Sequence, residues 1–332
     1  MAERALVSPT TASFVLAGRT DMRISQQARD RVLQAAFALS YQPNLTARSL
    51  RTKITRTIAL VSDTIATGHY AGGLIGGSLS AALAHEHHLF VTESQGDSEL
   101  EVRLIEDLIG RQVDGFVYAA VSTRQAQIPR ALHDQPLVLL NCVSPDVAVP
   151  TVLPDERGAG QTAVRALLDR GHRGGIYVVG EVNVAVFSAQ ERMAGILAAA
   201  AAADVRLAGV LDCAWWPEQA YDAVSRMLRD GQVPSALVCM NDRVAMGVYQ
   251  ALHEAGIAIP QEVSVVSFDD SELACWLRPQ LTSVALPHHE LGRRAVELLL
   301  AGDSAHPATG IERMPMPLRD RLSVGPPRAG SR

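Results

Sequence analysis

The sequence predicts an α/β protein: two doubly wound parallel-sheet lobes preceded by a small all-α segment and a short hinge helix. Three observations carry this. At 332 residues the chain exceeds what one small core organises, so two or three domains are expected. From residue 57 onward, short β-branched apolar runs alternate with stretches of helical periodicity, the pattern of strands buried on both faces by crossover helices. The charge is also divided: residues 1–56 hold nine bases against three acids, the remainder 21 against 32. A basic head on an acidic body is the footprint of a nucleic-acid-binding module joined to a soluble domain.

Composition narrows the class further. Hydrophobic residues make up 48% and charged ones 20%, which excludes disorder for most of the chain. Cys142, Cys213, Cys239 and Cys275 lie far apart without C-x-x-C spacing, so neither a zinc site nor a disulfide framework is expected, and they read as core thiols of a cytoplasmic protein. No uncharged apolar run approaches the ~18 residues of a membrane span, and the start lacks a signal-peptide core. Ala198 to Ala203 is helix-forming alanine.

Ser8-Pro9 is a strong helix start and Gly18 a fitting stop. Between them Ala12, Val15 and Leu16 recur at helical spacing toward a core, leaving Thr10, Ser13 and Phe14 on the outer side. There Phe14 could meet thymine methyls, Thr10 base edges, and Ser8 or Ser13 phosphates; the plainer role for Phe14 is packing on a neighbour. A second helix starts at the Ser25 cap and buries Ala28, Val32, Ala35, Ala36 and Leu39, with Arg29 and Arg31 flanking. Pro43 stops any arriving helix, and Asn44 can cap a short new one. A helix that short is marginal alone, and Arg48, Arg51, Lys53 and Arg56 with no acid among them call for an anionic partner. Leu50, an apolar knob among cations, suits a wedge between base steps of a minor groove; the bland alternative is a solvated basic linker.

Taken together, SPTTASFVLAG, ISQQARDRVLQAAFALSYQPN and LTARSLRTKITRTIALV resemble the recognition helix, third helix, hinge helix and first core strand of the lactose-repressor (LacI/GalR) family, and the resemblance continues to about Val324. It implies a periplasmic-binding-protein-like pair of lobes behind a helix-turn-helix. It also implies a homodimer, or a tetramer, that sets recognition helices in successive major grooves while paired hinge helices open the minor groove between them, with Leu50 at the wedge. By matched position Pro9, Thr10 and Phe14 set specificity. The implied DNA-binding surface is Ser8, Pro9, Thr10, Thr11, Ser13 and Phe14 with Asn44, Ala47, Arg48, Leu50 and Arg51. In one departure, only residues 1–7 precede the recognition helix, so the first helix of the motif is expected to be missing and Ala12, Val15 and Leu16 to lose part of their cover. The implied segments are 1–43 for DNA binding, 44–56 for the hinge, 57–156 with 285–312 for the first lobe, and 157–284 with 313–326 for the second.

In the body, TIALVS, LFVTES, GFVYAA and LVLLN read as strands of a first set of four, and GGIYVVG, AGVLD, SALVCM and VSVVSF as a second, followed by LTSVALP and a late helix through Leu291 to Leu300. Ser98 with Glu101 and Ser188 with Glu191 fit the S-x-x-E capping box. Ligands in such sheets sit beyond the carboxyl ends of the strands. Those ends carry Asp63, His69-Tyr70, Asp155, Arg192, Trp215-Trp216, Asn241-Asp242 and Asp269, a mixture suited to a polyhydroxylated or heterocyclic ring. Arg192, read as a cation in the first turn of the helix after GGIYVVG, opposes the helix dipole and invites a ligand explanation. Each residue has an ordinary alternative as a cap, turn or core residue. The resemblance places Tyr70, Asp155, Arg192, Trp215, Asn241, Asp242 and Asp269 at or beside effector-pocket positions.

A rival signal is Gly158-Ala159-Gly160-Gln161-Thr162-Ala163, a G-x-G-x-x-A with Glu181 about 20 residues on, as in a dinucleotide fingerprint. Asp155 and Glu156 would crowd the pyrophosphate with like charge, so the glycines read as close helix packing. His85, His87, His88, His288 and His289 lack metal-ligand spacing, and no nucleophile motif occurs; no cofactor, metal or catalytic activity is expected. The leading expectation is a transcriptional repressor that binds a palindromic operator and answers to a small sugar-like or nucleoside-like effector. The alternatives are a sugar-binding protein without DNA binding and an NAD-dependent enzyme.

Overall fold

A computed structural model of the chain describes residues 1–16, 18–19, 22–41, 52, 54–64, 71–182, 186–301 and 310–328. It divides into two compact units, Met1–Thr55 and Arg56–Arg332. Of the sequence-predicted site residues, Asn44, Ala47, Arg48, Leu50, Arg51 and Tyr70 lie outside the described residues.

The first unit is built on helices α1 (Pro9–Leu16) and α2 (Gln26–Ala38). Ser8 starts α1 as its spacing predicts, its hydroxyl accepting from Thr11 N at 3.1 Å. Gly18, at φ +68, stops it, with Gly18 N bonded to Val15 O and Arg19 N to Phe14 O. Ser25 caps α2 by accepting from Ala28 N. The expected loss of cover is corrected here. Residues 1–5 close a helical turn, Ala5 N to Met1 O, ended by Leu6 N to Glu3 O and Val7 N to Ala2 O. That turn buries Ala5 against Ala12, Val15, Val32 and Ala35, with Met1, Ala2 and Val7 packed alongside. Arg31 Nε donates to Ala5 O and Arg29 Nη2 to Arg19 O, cations placed at helix C-terminal carbonyls where the dipole favours them. Leu39, expected inside, is exposed because its side chain falls after the last packed turn of α2.

The second unit holds two six-stranded sheets where four strands each were expected. The first runs β11 (Ile311–Met314), β5 (Thr151–Pro154), β4 (Leu137–Val143), β3 (Phe116–Gln125), β1 (Thr57–Ser62), β2 (His88–Glu93), all parallel. The second runs β12 (Leu318–Arg319), β10 (Thr282–Ala285), β9 (Ser264–Asp269), β8 (Ala236–Cys239), β6 (Ile176–Val179), β7 (Gly209–Leu211), parallel except for β12. Two of the additional strands, β11 and β12, are short edge pieces whose pairing partners are remote in sequence, whereas β5 pairs with the neighbouring β4 and β10, the LTSVALP segment, pairs with β9. β11 reaches Met314 and β10 reaches Ala285, just past the boundaries expected at 312 and 284.

Helices cover both faces: α3 (Ala71–Ala84), α4 (Ser98–Gly110), α5 (Glu156–Leu168), α6 (Phe187–Ala202), α7 (Pro217–Arg229), α8 (Asp242–Glu254), α9 (Glu272–Trp276) and α10 (His288–Leu300). Both predicted capping boxes are absent. Asp97 caps α4, accepting from Glu99 N and Leu100 N, which frees Glu101 to accept from the Tyr118 hydroxyl instead. α6 begins at Phe187 with no side-chain cap, leaving Ser188 inside its first turn. Of the two glycines of the dinucleotide-like motif, Gly160 packs helices, while Gly158 makes room for the Asp155 carboxylate. A Cβ on Gly160 would stand 2.1 Å from Arg192 O, and one on Gly195 would stand 2.0 Å from Arg157 O. That reciprocal contact presses α5 onto α6 and sets the first residue of one, Glu156, beside Arg192 of the other.

Candidate effector cleft and DNA-reading helix

Strand order reverses beside β1 in the first sheet and beside β6 in the second, and a cleft of about 260 Å³ is lined by residues of β3, β4 and β9 and of the segments that follow β7 and β8. Of the sequence-predicted residues it gathers Arg192, Trp215, Trp216, Asn241 and Asp269, adding Ser122, Thr123, Asn141, Glu156, Ser188, Arg243 and His288.

Arg192 is not in the first turn, as expected, but the sixth residue of α6, and a protein carboxylate explains it without a ligand. Its Nε lies 2.5 Å from Glu156 Oε2 and its Nη2 3.1 Å from Glu156 Oε1, a bidentate pair with both residues almost wholly buried. Nη1 donates to Met240 O at 2.5 Å, Nη2 is 3.5 Å from Asp269 Oδ1, and the guanidinium lies over the Trp215 and Phe268 rings. Burial works against the Arg192 charge, but Glu156 and then Asp269 outweigh it and its pKa rises. Burial pushes Glu156 up, with Arg192 pulling back. Asp269 is aimed by backbone strain: at φ +101 it ends β9 in a conformation L-residues rarely adopt.

Trp215 donates from Nε1 to Glu181 O at 3.0 Å. Gly180, at φ +128, makes room for it, since a Cβ there would meet Met240 at 2.8 Å and Trp215 Nε1 at 3.3 Å. Trp216, 54% exposed, carries the Arg243 guanidinium over its ring at 4.8 Å. Across the cleft Thr123 Oγ1 donates to Asn141 Oδ1 at 2.5 Å, while Asn141 Nδ2 donates to Ala120 O. Asn141, too, has a left-handed backbone, φ +57.

The structure gives three predicted pocket acids internal work instead. Asp63 accepts from Thr64 N and Val121 N and pairs with Arg124 at 3.1 Å. Asp155 caps α5 through Gly158 N. Asp242 is fully buried, accepting from Ser271 N, Ser271 Oγ and Ser283 Oγ, and burial followed by the nearby Asp269 pushes its pKa up to about 7. Asn241 both lines the cleft and caps α8 through Val244 N. Glu156, Thr123, Asn141 and His288 were missed by sequence reasoning. For Glu156 a signal existed: it stands one helical turn before Gly160, the residue that brings α6 close.

In the first unit Ser8, Pro9 and Thr10 are exposed, and Thr11, Ser13 and Phe14 are half-buried. Phe14 lies under the Arg19 guanidinium at 5.1 Å instead of standing free. α1 itself carries no charged side chain, so its outer face is hydroxyl and apolar. Among the described residues no group of three His, Cys, Asp or Glu could hold a metal, and no helix is long and apolar enough to cross a membrane.

Residues 72–313 match the family described as periplasmic binding proteins and sugar binding domain of LacI family, and residues 1–44 match bacterial regulatory proteins, lacI family. The chain is 32% identical over 318 residues to the HTH-type transcriptional regulator AscG of Escherichia coli K12, covering 93% of this chain and 94% of that one. It is 30% identical over 307 residues to the ribose operon repressor of Haemophilus influenzae, covering 90% of each. The solved lac repressor dimer bound to operator and the anti-inducer ONPF has the same fold, with TM-score 0.79 over 98% of this chain and 97% of that one at 23% identity. With both its segments matched, the chain belongs to the LacI family of bacterial transcriptional regulators.

Proposed function

We propose that this regulator binds a near-palindromic operator as a homodimer and that a small sugar-like or nucleoside-like effector, seated between the two sheets, sets its affinity for DNA. The observation that carries the DNA half is the outer face of α1: Thr10 exposed, Ser13 and Phe14 at its flank, and the opposite side seated on Ala5, Val32 and Ala35. In this proposal Thr10 and Phe14 meet base edges with Pro9, while Ser8, Thr11 and Ser13 meet phosphates. A seated helix of this kind favours an operator-binding regulator over a sugar-binding protein that has given up DNA. The hinge residues Asn44, Ala47, Arg48, Leu50 and Arg51 complete the contact in the minor groove. The effector half assigns Arg192, Trp215, Asn241 and Asp269 to the cleft. Asp63, Asp155 and Asp242 hold the surrounding backbone, and Tyr70 is assigned to the effector on the resemblance alone. The ribose operon repressor among the relatives supports a sugar. An effector acts only through unequal affinity for two lobe arrangements.

The test is operator selection with the purified protein, followed by salt titration of Leu50→Ala and Arg48→Ala on operator and random duplex. Leu50→Ala weakens operator binding and leaves random duplex nearly unchanged, because the wedge acts only where the step unstacks. Arg48→Ala weakens both and reduces the salt slope by about one, since one phosphate contact is lost. Equal losses on both duplexes for Leu50→Ala reject the wedge, and failure to select any operator rejects DNA binding.

A further inference from the structure

A reader helix without charge needs another source of preference between base pairs, and this step rests on the reading of α1 as the DNA-reading element. Its outer face presents Thr10, Thr11, Ser13 and the flank of Phe14, and the Ser8 and Thr11 hydroxyls are bonded to each other at 2.9 Å. A hydroxyl both donates and accepts, so it suits several base edges and separates base pairs weakly. The sharper reader is a planar guanidinium fork, which matches O6 and N7 of guanine. Two arginines of α2 are committed to backbone: Arg29 Nη2 donates to Arg19 O and Arg31 Nε to Ala5 O. Arg19 is placed differently. Gly18, at φ +68, turns the chain so that Arg19 N bonds to Phe14 O at 3.1 Å, and the Arg19 carbonyl accepts from Arg29 at 2.9 Å. Both backbone groups of Arg19 are thus fixed, and its exposed side chain lies over the ring of Phe14, a residue of α1 itself, at 5.1 Å.

We propose that Arg19 is a base-reading residue of this regulator: held on Phe14, its guanidinium donates to O6 and N7 of a guanine in the major groove of each half-site. Phe14, besides its own apolar contact, is the positioning residue for that cation. The cation–π contact selects a side-chain conformation before DNA arrives, which lowers the ordering cost of docking a long side chain. Lysine is no substitute, since an ammonium lacks the planar fork.

The experiment is operator selection from a randomised duplex library with the full chain, then affinities for single base-pair variants of the selected duplex with wild type, Arg19→Ala, Arg19→Lys and Phe14→Leu. The wild-type half-site is expected to hold a G·C pair whose replacement by A·T weakens binding about tenfold or more. Arg19→Ala removes that preference and leaves the others. Arg19→Lys keeps the charge, so random-duplex affinity and salt slope stay as in wild type while the preference at that pair narrows. Phe14→Leu narrows it too, which loss of an independent apolar contact would not do. Neither Arg19 variant touches the bonds that set the turn, because those use only backbone atoms of residue 19. Equal losses on operator and random duplex for Arg19→Ala, with every base preference intact, make Arg19 a phosphate contact and overturn the inference. A G·C preference unchanged in Arg19→Lys overturns the fork, and one unchanged in a Phe14→Leu variant of native circular dichroism overturns the platform. A wild-type protein that selects no operator overturns the DNA-binding reading itself and this inference with it.

Discussion

Replacing Arg192 by Met tests whether the cleft's central pair is a structural unit. The substitution keeps most of the aliphatic stem but leaves Glu156, 3% exposed and on the first turn of α5, without its bidentate partner. Removing one member of a buried pair costs ~3–5 kcal/mol because the remaining charge is uncompensated. The lost bond to Met240 O adds about 1 kcal/mol, and the new thioether packing between Trp215 and Phe268 returns part of it. A net cost of about 4 kcal/mol is a large share of the ~5–15 kcal/mol that holds a domain folded. Replacing both partners, Arg192→Met with Glu156→Leu, should recover all but about 1–2 kcal/mol, since a packed apolar pair needs no desolvation. Urea unfolding of the wild type, both single variants and the double variant gives the cycle. A single-variant cost under about 1 kcal/mol, or costs that simply add, would refute the pairing as described. The orphaned Glu156 also sets the pH dependence of Arg192→Met: its folded pKa lies above its unfolded one, so the variant regains stability as pH falls and loses it as pH rises. Ligand binding lost in an Arg192→Ala variant would therefore report a damaged lobe as much as a missing contact.

Leu6, at φ +52 and 80% exposed, holds a left-handed position that suits glycine at the end of the turn formed by residues 1–5. Leu6→Gly should stabilise the first unit by about 1 kcal/mol, read as slower amide exchange at Ala5 and Val32, and faster exchange would show the strain assignment to be wrong. For Asp242 the folded pKa of about 7 stands above the ordinary carboxylate value of 3.8, so the folded state holds the proton more tightly between them. Stability should fall as pH climbs through that window and level off above it. Asp242→Asn should flatten the trend in urea midpoints taken from roughly pH 5 to pH 8, because its amide can still serve Ser271 and Ser283 without a charge. An unchanged slope in that variant would assign the titration to another group.

The sequence alone determined what is written in short-range chemistry. β1, β4 and β9 are mainly apolar runs, and the Ser8 and Ser25 caps need only a hydroxyl within three residues of an N–H. Gly160 and Asp155-Glu156 were enough to turn a dinucleotide-like motif into a helix contact, since like charge and missing side chains act locally. The divided charge and the reader-helix pattern were legible for the same reason. Tertiary structure alone decided which polar residues meet. Arg192 and Glu156 lie 36 residues apart and Arg192 and Asp269 lie 77 apart, and only the Gly160–Gly195 contact and the strained end of β9 bring them within bonding distance. Asp63 and Asp242 could not be told from pocket residues in sequence, because an acid at a strand end has the same local pattern whether it faces a ligand or the protein's own Arg124, Ser271 and Ser283. The residue types were set by the chain; which of their hydrogen-bonding groups remain for a ligand is set by packing, because each donor and acceptor can be spent only once.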